Sequence, residues 1–232
     1  MTYGAVAPNP DFLAALRPAL GKAAEPERAA GMAAYMKSAM PYLGVRTPEV
    51  RRIVRALVKE HPLAGAGQLY ATAARMWGAA EFREERHAAI MLTDSRLVRG
   101  DPGMLPFYAT AIAEGQWWDH VDSVAPRLCG LLLAHPESMD PLLRRWSGHG
   151  NFWFRRAAII AQLPAKAATD TGLLHDVLVP NLPEREFFIR KAVGWALRQH
   201  ARTDPAWVLD FAERYAGQLS PLSRREALKH LG

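Results

Sequence analysis

Five charged residues recur at a nearly constant spacing and form a column through most of the sequence. Successive members are separated by 36, 34, 35 and 34 residues, and they are Arg86, Asp122, Arg156, Lys191 and Arg225. Stacked repeats bring equivalent positions together on one surface. The four cations would attract a polyanion there, and the carboxylate of Asp122 would weaken that attraction. Asp122 therefore needs a role of its own, either in catalysis or in an ion pair with Arg156 that ties two repeats together.

Two tryptophans share helix faces with members of this column. Trp118 precedes Asp122 by four residues, and Trp195 follows Lys191 by four. Residues four apart in a helix lie one turn from each other on the same face. Tryptophans of a helical core usually have aliphatic neighbours at this spacing, so the charged neighbours favour an exposed position for both indoles. The other possibility is that these indoles belong to the core. We expect Trp117 and Trp153 in the core or at interfaces between repeats.

The elements that carry these residues are predicted to be paired antiparallel helices. Apolar residues fall at helical spacing throughout, and hairpin turns between alternating runs are missing. The predicted spans are approximately 10–20, 27–39, 47–60, 66–78, 82–94, 104–114, 117–133, 138–147, 151–163, 170–179, 186–200, 204–215 and 221–230. A repeat of about 35 residues built from such pairs is typical of an α-solenoid. We expect an all-α, HEAT-like solenoid, a curved superhelix with a concave basic face, which forms a single domain over residues 1–232.

Several helix starts are marked by a capping residue followed by proline. The pairs are Thr47-Pro48, Asp140-Pro141, Asp204-Pro205 and Ser220-Pro221. The polar side chain can accept a backbone N–H bond, and proline fits the first helical position because it lacks an N–H. Asn151 is predicted to cap the helix that carries Arg156.

Composition narrows the classes of function. The net charge of +6 suits a nucleic-acid partner, although a solvated arginine-rich surface or a protein-binding groove would also account for it. No run of 18 apolar residues predicts a membrane span, and the first residues lack a signal peptide, so we expect a cytoplasmic location. Cys129 is the single cysteine, which excludes an internal disulfide, argues against a thiolate zinc site and predicts an inert core thiol. Phosphate loops, dinucleotide fingerprints and metalloprotease motifs do not occur.

Six stretches of the sequence resemble the AlkD family of bacterial DNA alkylation-repair glycosylases. They are residues 35–37, 42–48, 117–126, 151–159, 187–195 and 221–227. The Trp-Trp-Asp-x-Val-Asp run that ends at Asp122 and the Phe-Phe-Ile-x-Lys-Ala phrase around Lys191 are the most specific of these. A generic HEAT-repeat protein is not expected to carry both.

The resemblance implies an enzyme that removes N3- and N7-alkylated purines from duplex DNA without extruding the damaged base. It implies that the catalytic residues are Trp118, Asp122 and Trp195. It also implies that Arg156 contacts a phosphate and that Tyr35 lies beside the site. Lys191, Arg86 and Arg225 are the expected further DNA contacts. The resemblance implies no metal or cofactor, and we expect a monomer.

Such a reaction would explain why one acid, Asp122, occurs in the basic column. Breaking the glycosidic bond moves positive charge onto the deoxyribose, which a carboxylate and two indole faces attract. We expect Asp122 to stay ionised because Arg156 and Lys191 lie nearby. Two other functions remain open, a non-catalytic member of the same architecture that binds damaged or branched DNA, and a protein-interaction scaffold.

Overall fold

The computed structural model describes residues 3–231, and over this range the secondary structure is entirely helical. Thirteen α-helices and four short 3-10 turns occur there, without a β-strand. The prediction of an all-α chain is confirmed, and the predicted helix boundaries agree within a few residues. The chain divides into two compact units, one up to Ala111 and one from Ile112. A single domain over residues 1–232 stays a prediction, and Met1, Thr2 and Gly232 lie outside the described residues.

The first unit contains five complete helices. They are α1 (Pro10–Lys22), α2 (Pro26–Met36), α3 (Thr47–Glu60), α4 (Ala66–Gly78) and α5 (Arg83–Leu92). Helix α3 packs between α1 and α5, and α4 packs against α5. An ion pair of 2.7 Å between Arg17 Nε and Glu85 Oε1 joins α1 to the start of α5. The boundary between the units falls within α6 (Leu105–Gly115).

The second unit contains the helices that carry most of the charged column. They are α7 (Trp118–Ala134), α8 (Pro136–Ser147), α9 (Phe152–Ile160), α10 (Thr171–Leu178), α11 (Phe187–His200), α12 (Pro205–Arg214) and α13 (Pro221–Ala227). Every second helix packs on the next, in the order α7, α9, α11, α13, and α8 packs against α10 in a second layer. This arrangement confirms a helical repeat within the unit.

The predicted helical faces of this unit are buried. Phe154, Ala157 and Ala158 of α9 are at most 9 % exposed, and Ile189 and Val193 of α11 are at most 1 % exposed. Burial of such side chains contributes roughly 25 cal/mol per Å² of apolar surface removed from water. The stacking of α9 on α11 therefore rests on a continuous apolar core. The charged residues of the same helices lie outside these apolar faces.

Helix caps agree with the sequence except at two sites. The cap predicted at Thr47 is wrong, because Thr47 is the first residue of α3 and Arg46 occupies the cap position without a side-chain bond. Asn151 Oδ1 accepts the Trp153 N–H at 3.0 Å, and the side chains of Asp204 and Ser220 cap α12 and α13 in the same way. The predicted start at Asp140 is wrong, because α8 begins at Pro136 and contains Pro141 within it. Asp140 pairs with an arginine one turn later instead of capping the helix.

The loop before α3 is held by a buried carboxylate. Glu84 of α5 is 1 % exposed and accepts backbone N–H bonds of 2.9–3.1 Å from Leu43, Gly44 and Val45. Gly44 adopts a φ of +85°, a conformation that side chains with a Cβ rarely take. A Cβ at Gly44 would also lie 2.1 Å from the carbonyl oxygen of Glu25. Glycine is required at this turn by both conformation and space.

Among residues 3–231, no helix has the length and hydropathy that crossing a bilayer would require.

Replacing Gly44 with alanine should lower the free energy of unfolding by about 2–4 kcal/mol, since the strained φ and the backbone clash act together. Gly31→Ala is the matched control, because Gly31 lies inside α2 and an added Cβ meets nothing within 4 Å. That change should raise stability by about 0.5–1 kcal/mol. Urea unfolding followed by circular dichroism measures both, and equal stability of the two variants would contradict the account.

Candidate functional site

Four members of the charged column lie on four helices that pack in succession. Asp122 is on α7, Arg156 on α9, Lys191 on α11 and Arg225 on α13. The repeat spacing therefore predicted their order within the second unit. Two of them, Asp122 and Arg156, pair with each other, whereas Lys191 pairs with Glu226, which lies outside the column.

Asp122 and Arg156 form a bidentate ion pair between α7 and α9. Arg156 Nε donates to Asp122 Oδ1 and Arg156 Nη2 donates to Asp122 Oδ2, each at 2.8 Å. Arg156 Nη1 donates to the carbonyl oxygen of Phe188 at 2.6 Å, and its guanidinium lies 5.9 Å from the Phe188 ring. One arginine therefore connects three successive repeats, which is the tie between repeats that the sequence left open.

Burial raises the pKa of the Asp122 carboxyl above its usual range, and the bonds from Arg156 counteract this only in part. The side chains of Asp122 and Arg156 are 17 % and 5 % exposed. Removing a carboxylate from water disfavours its charged form, while a nearby cation favours it. The expectation that neighbouring cations alone would control this group omitted its burial. Lys191 does not add to the stabilisation, because its ammonium pairs elsewhere.

Arg156 does not present its guanidinium to solvent. The residue is 4 % exposed, and its three nitrogens donate to Asp122 and Phe188. The phosphate contact predicted for Arg156 therefore finds no free surface in this structure. In this position Arg156 holds both oxygens of the Asp122 carboxylate.

Trp118 and Trp195 are half-buried, one turn from Asp122 on α7 and from Lys191 on α11. Trp195 also packs against the core of the second unit. Both indoles thus keep part of their surface open, whereas Trp153 is 4 % exposed and belongs to the core, as predicted.

An aromatic cluster supports the Asp122–Arg156 pair at the starts of three helices. The Phe188 ring lies 5.3 Å from that of Trp117 and 5.1 Å from that of Trp153. Trp117 therefore contributes to a repeat interface, which is one of the two places that the sequence suggested for it. Because Phe188 also accepts a bond from Arg156, its packing fixes the arginine from a second direction.

Lys191 and Arg225 differ in how available their charges are. Lys191 Nζ pairs with Glu226 at 2.8 Å, and its side chain is 42 % exposed. Arg225 is exposed, and no ion pair involving it occurs among residues 3–231. Sequence reasoning missed Glu226. The signal was its place directly after Arg225, where a carboxylate on the same helix could reach back to the preceding repeat.

Arg86 and Tyr35 belong to the first unit. Arg86 is half-buried on α5, with its guanidinium 4.6 Å from the centre of the Trp77 ring. Tyr35 lies on α2 and is 77 % exposed. Arg86 therefore uses part of its surface for a cation–π contact, and Tyr35 is available to a partner.

A family model described as DNA alkylation repair enzyme matches residues 16–231. The solved structure of a predicted DNA alkylation repair enzyme from Enterococcus faecalis is similar to this chain with a TM-score of 0.77 and 31 % sequence identity. That similarity covers 90 % of this chain and 97 % of the other. A second structure, Pseudomonas fluorescens alkylpurine DNA glycosylase AlkC bound to DNA containing an abasic site analog, has a TM-score of 0.48 and 16 % identity. It covers 98 % of this chain and 65 % of the other. A comparison with curated proteins finds no match.

Arg156→Met should lower the free energy of unfolding by about 3–5 kcal/mol, because it leaves the Asp122 carboxylate buried without its partner. The double variant Asp122→Asn with Arg156→Met should recover part of that loss, since no uncompensated charge remains. Arg155→Met is the control, as the neighbouring arginine pairs with Glu184 at a more exposed position. Urea denaturation of these variants, of Asp122→Asn and of the wild type completes a double-mutant cycle. A loss below about 1 kcal/mol in Arg156→Met, the range of a surface pair, would contradict the account.

Proposed function

The chain belongs to the DNA alkylation repair enzyme family, and on that premise we propose that it is an AlkD-like DNA N-glycosylase. Its substrates are cationic N3- and N7-alkylated purines in duplex DNA, such as 3-methyladenine and 7-methylguanine, which it releases without extruding the base. As part of this proposal the protein acts as a monomer in the cytoplasm and uses no metal or other cofactor.

The observation that carries the proposal is a carboxylate held in one orientation on a surface with half-buried indoles. Both oxygens of Asp122 accept bonds from Arg156, which is itself fixed by Phe188. Each carboxylate oxygen has a further lone-pair direction, and 17 % of the Asp122 side chain remains open. Electrostatic catalysis requires charge that is placed before the reaction begins, because reorganisation during the reaction costs free energy.

The chemistry of an alkylated purine suits this arrangement. An N3 or N7 substituent gives the base a positive charge, so the base needs no added proton to leave. When the bond from C1′ to the purine nitrogen breaks, its electron pair goes to the base, which departs neutral. The positive charge passes to the deoxyribose as an oxocarbenium-like species. Water then adds to C1′, and its proton is lost to solvent.

Asp122 would lower the barrier by lying close to the sugar as that charge develops. A negative group stabilises the transition state more than the ground state only where charge appears during the reaction. Trp118 and Trp195 would add their ring faces, each attracting a cation by roughly 0.5–2 kcal/mol. Asp122 also offers an acceptor that could orient the attacking water.

The remaining cations would hold the DNA backbone. Arg225 and the exposed part of Lys191 are the contacts that we propose in the second unit, and Arg86 and Tyr35 those in the first. Phosphate contacts position a protein without reading sequence, so little preference for base sequence is expected. Arg156 serves the reaction indirectly, by orienting Asp122.

A second function is favoured by the same ion pair. Because Arg156 occupies both oxygens of Asp122, the pair could serve only to join two repeats, as it would in a family member that binds damaged or branched DNA without excising bases. Wild-type protein that binds methylated DNA but releases no base would support this alternative.

Asp122→Asn should reduce the release of 7-methylguanine and 3-methyladenine from methylated duplex DNA by roughly 10²–10³-fold, the range seen when a preorganised electrostatic group is lost. DNA affinity should be equal or slightly higher, because a negative charge is removed from the binding surface. Chromatography of the freed bases under single-turnover conditions measures the rate. Asp210→Asn, at an exposed position of α12, is the control and should retain wild-type activity. Release by Asp122→Asn at the wild-type rate would exclude the catalytic role.

The rate of base release should fall on acidification at a higher pH than an ordinary aspartate would produce. Burial raises the pKa of Asp122, so its carboxylate takes up a proton at a pH above its usual value of about 3.9. The active form is the ionised one, so activity is present above the raised pKa and lost below it. Single-turnover rates across the acidic range, corrected for spontaneous depurination, measure the pH at which activity is lost. Loss of activity only at or below the usual pKa of an aspartate would contradict the burial argument.

A further inference from the structure

Glu226 of α13 forms a bridge between two cations of α11. Its Oε1 lies 2.8 Å from Lys191 Nζ and its Oε2 lies 2.5 Å from Arg198 Nη1. The Glu226 side chain is 14 % exposed, whereas those of Lys191 and Arg198 are 42 % and 27 % exposed. The hydrogen bond from Lys191, aided by the positive charges of Arg198 and Lys229, holds the pKa of Glu226 below its usual range. The bridge therefore consists of an ionised acid and two cations.

The two cations lie on either side of Trp195. Lys191, Trp195 and Arg198 are spaced i, i+4 and i+7, so they share one face of α11. The carboxylate of Glu226 reaches both ends of this face from the neighbouring helix. It thus restrains the turn of α11 that carries the indole.

The backbones of α11 and α13 approach closely at the same turn. A Cβ at Gly194 would lie 2.6 Å from Glu226 Cβ and 2.9 Å from the carbonyl oxygen of Ser223. Ser223 is 2 % exposed, and its hydroxyl donates to the carbonyl oxygen of Arg190 at 2.9 Å. Glycine at position 194 therefore permits the contact that brings Glu226 over the face of α11.

We propose that Glu226 is a positioning residue for Trp195. It holds the indole in place and neutralises the two cations beside it, so that the ring face can attract a cationic sugar. This inference rests on the proposed glycosylase function. The uncompensated charges of Lys191 and Arg198 would repel the positive charge that develops on the deoxyribose. The carboxylate offsets them at close range, so the indole face can contribute its attraction. Glu226 itself need not touch the DNA.

Glu226→Gln keeps the size of the side chain and removes its charge. The single-turnover rate of base release should fall about tenfold, the effect of roughly 1.4 kcal/mol on a barrier. DNA affinity should stay equal or increase, because Lys191 and Arg198 become freer to contact phosphate. Glu213→Gln is the matched control, since Glu213 is exposed on α12. An unchanged rate, or a fall in DNA affinity that accounts for the whole loss, would overturn the proposal.

Glu226→Asp separates positioning from charge and covers the case in which the glutamine variant does not fold. The shorter acid keeps its charge but cannot reach both cations. It should reduce the rate two- to fivefold with DNA affinity unchanged, and a wild-type rate would overturn the proposal. Thermal unfolding of each variant identifies any loss of fold.

A measurement independent of catalysis distinguishes failure of this inference from failure of the proposed function. The protein contains seven tryptophans, so incorporation of 5-fluorotryptophan should give seven fluorine resonances. Trp195→Phe assigns the resonance of Trp195, and Trp153→Phe assigns that of Trp153. In Glu226→Gln this resonance should shift or broaden while that of Trp153 does not change. An unchanged Trp195 resonance would refute the positioning role, even if the wild-type protein proves to be an active glycosylase.

Discussion

The bidentate ion pair between Asp122 and Arg156 is the interaction on which the candidate site depends. It joins α7 to α9, and the third nitrogen of the same guanidinium extends the connection to α11 through Phe188. A buried carboxylate is costly unless it is paired, and a buried arginine is costly unless its donors are used. Here each group satisfies the other, and their mutual requirement fixes the orientation of the only acid in the repeated column.

The same rule appears again two repeats further along the chain. Glu226 is an acid of α13 that neutralises two cations of α11, next to the turn that carries Trp195. The charged residues of the column are therefore not a uniform track of free cations. Part of the positive charge is used to place two carboxylates between helices, and Arg225 is left for a polyanion. In our proposal the two carboxylates organise the chemistry, and Arg225, with the exposed part of Lys191, holds the DNA in the second unit.

Much of this organisation could be predicted from the sequence, because helical periodicity and repeat spacing are local signals. The spacing of about 35 residues placed Asp122, Arg156, Lys191 and Arg225 on successive packed helices, and Asn151 capped its helix as expected. The burial of Arg156 could not be predicted, since a long side chain reaches solvent or a neighbour depending on how helices pack. The partner of Lys191 was missed for the same reason. Glu226 becomes its neighbour only because Gly194 lets α13 approach α11.

The most direct test of the central claim is the binding of a duplex that carries a protonated pyrrolidine in place of one deoxyribose. This group imitates the charged sugar, and a tetrahydrofuran at the same position is its neutral counterpart. Fluorescence anisotropy should show the wild-type protein binding the cationic duplex at least 10²-fold more tightly than the neutral one, as transition-state analogues do. Asp122→Asn should remove most of this preference without weakening the binding of the neutral duplex, and the two indoles would account for what remains. Equal affinity of the wild-type protein for the two duplexes would contradict the role of Asp122.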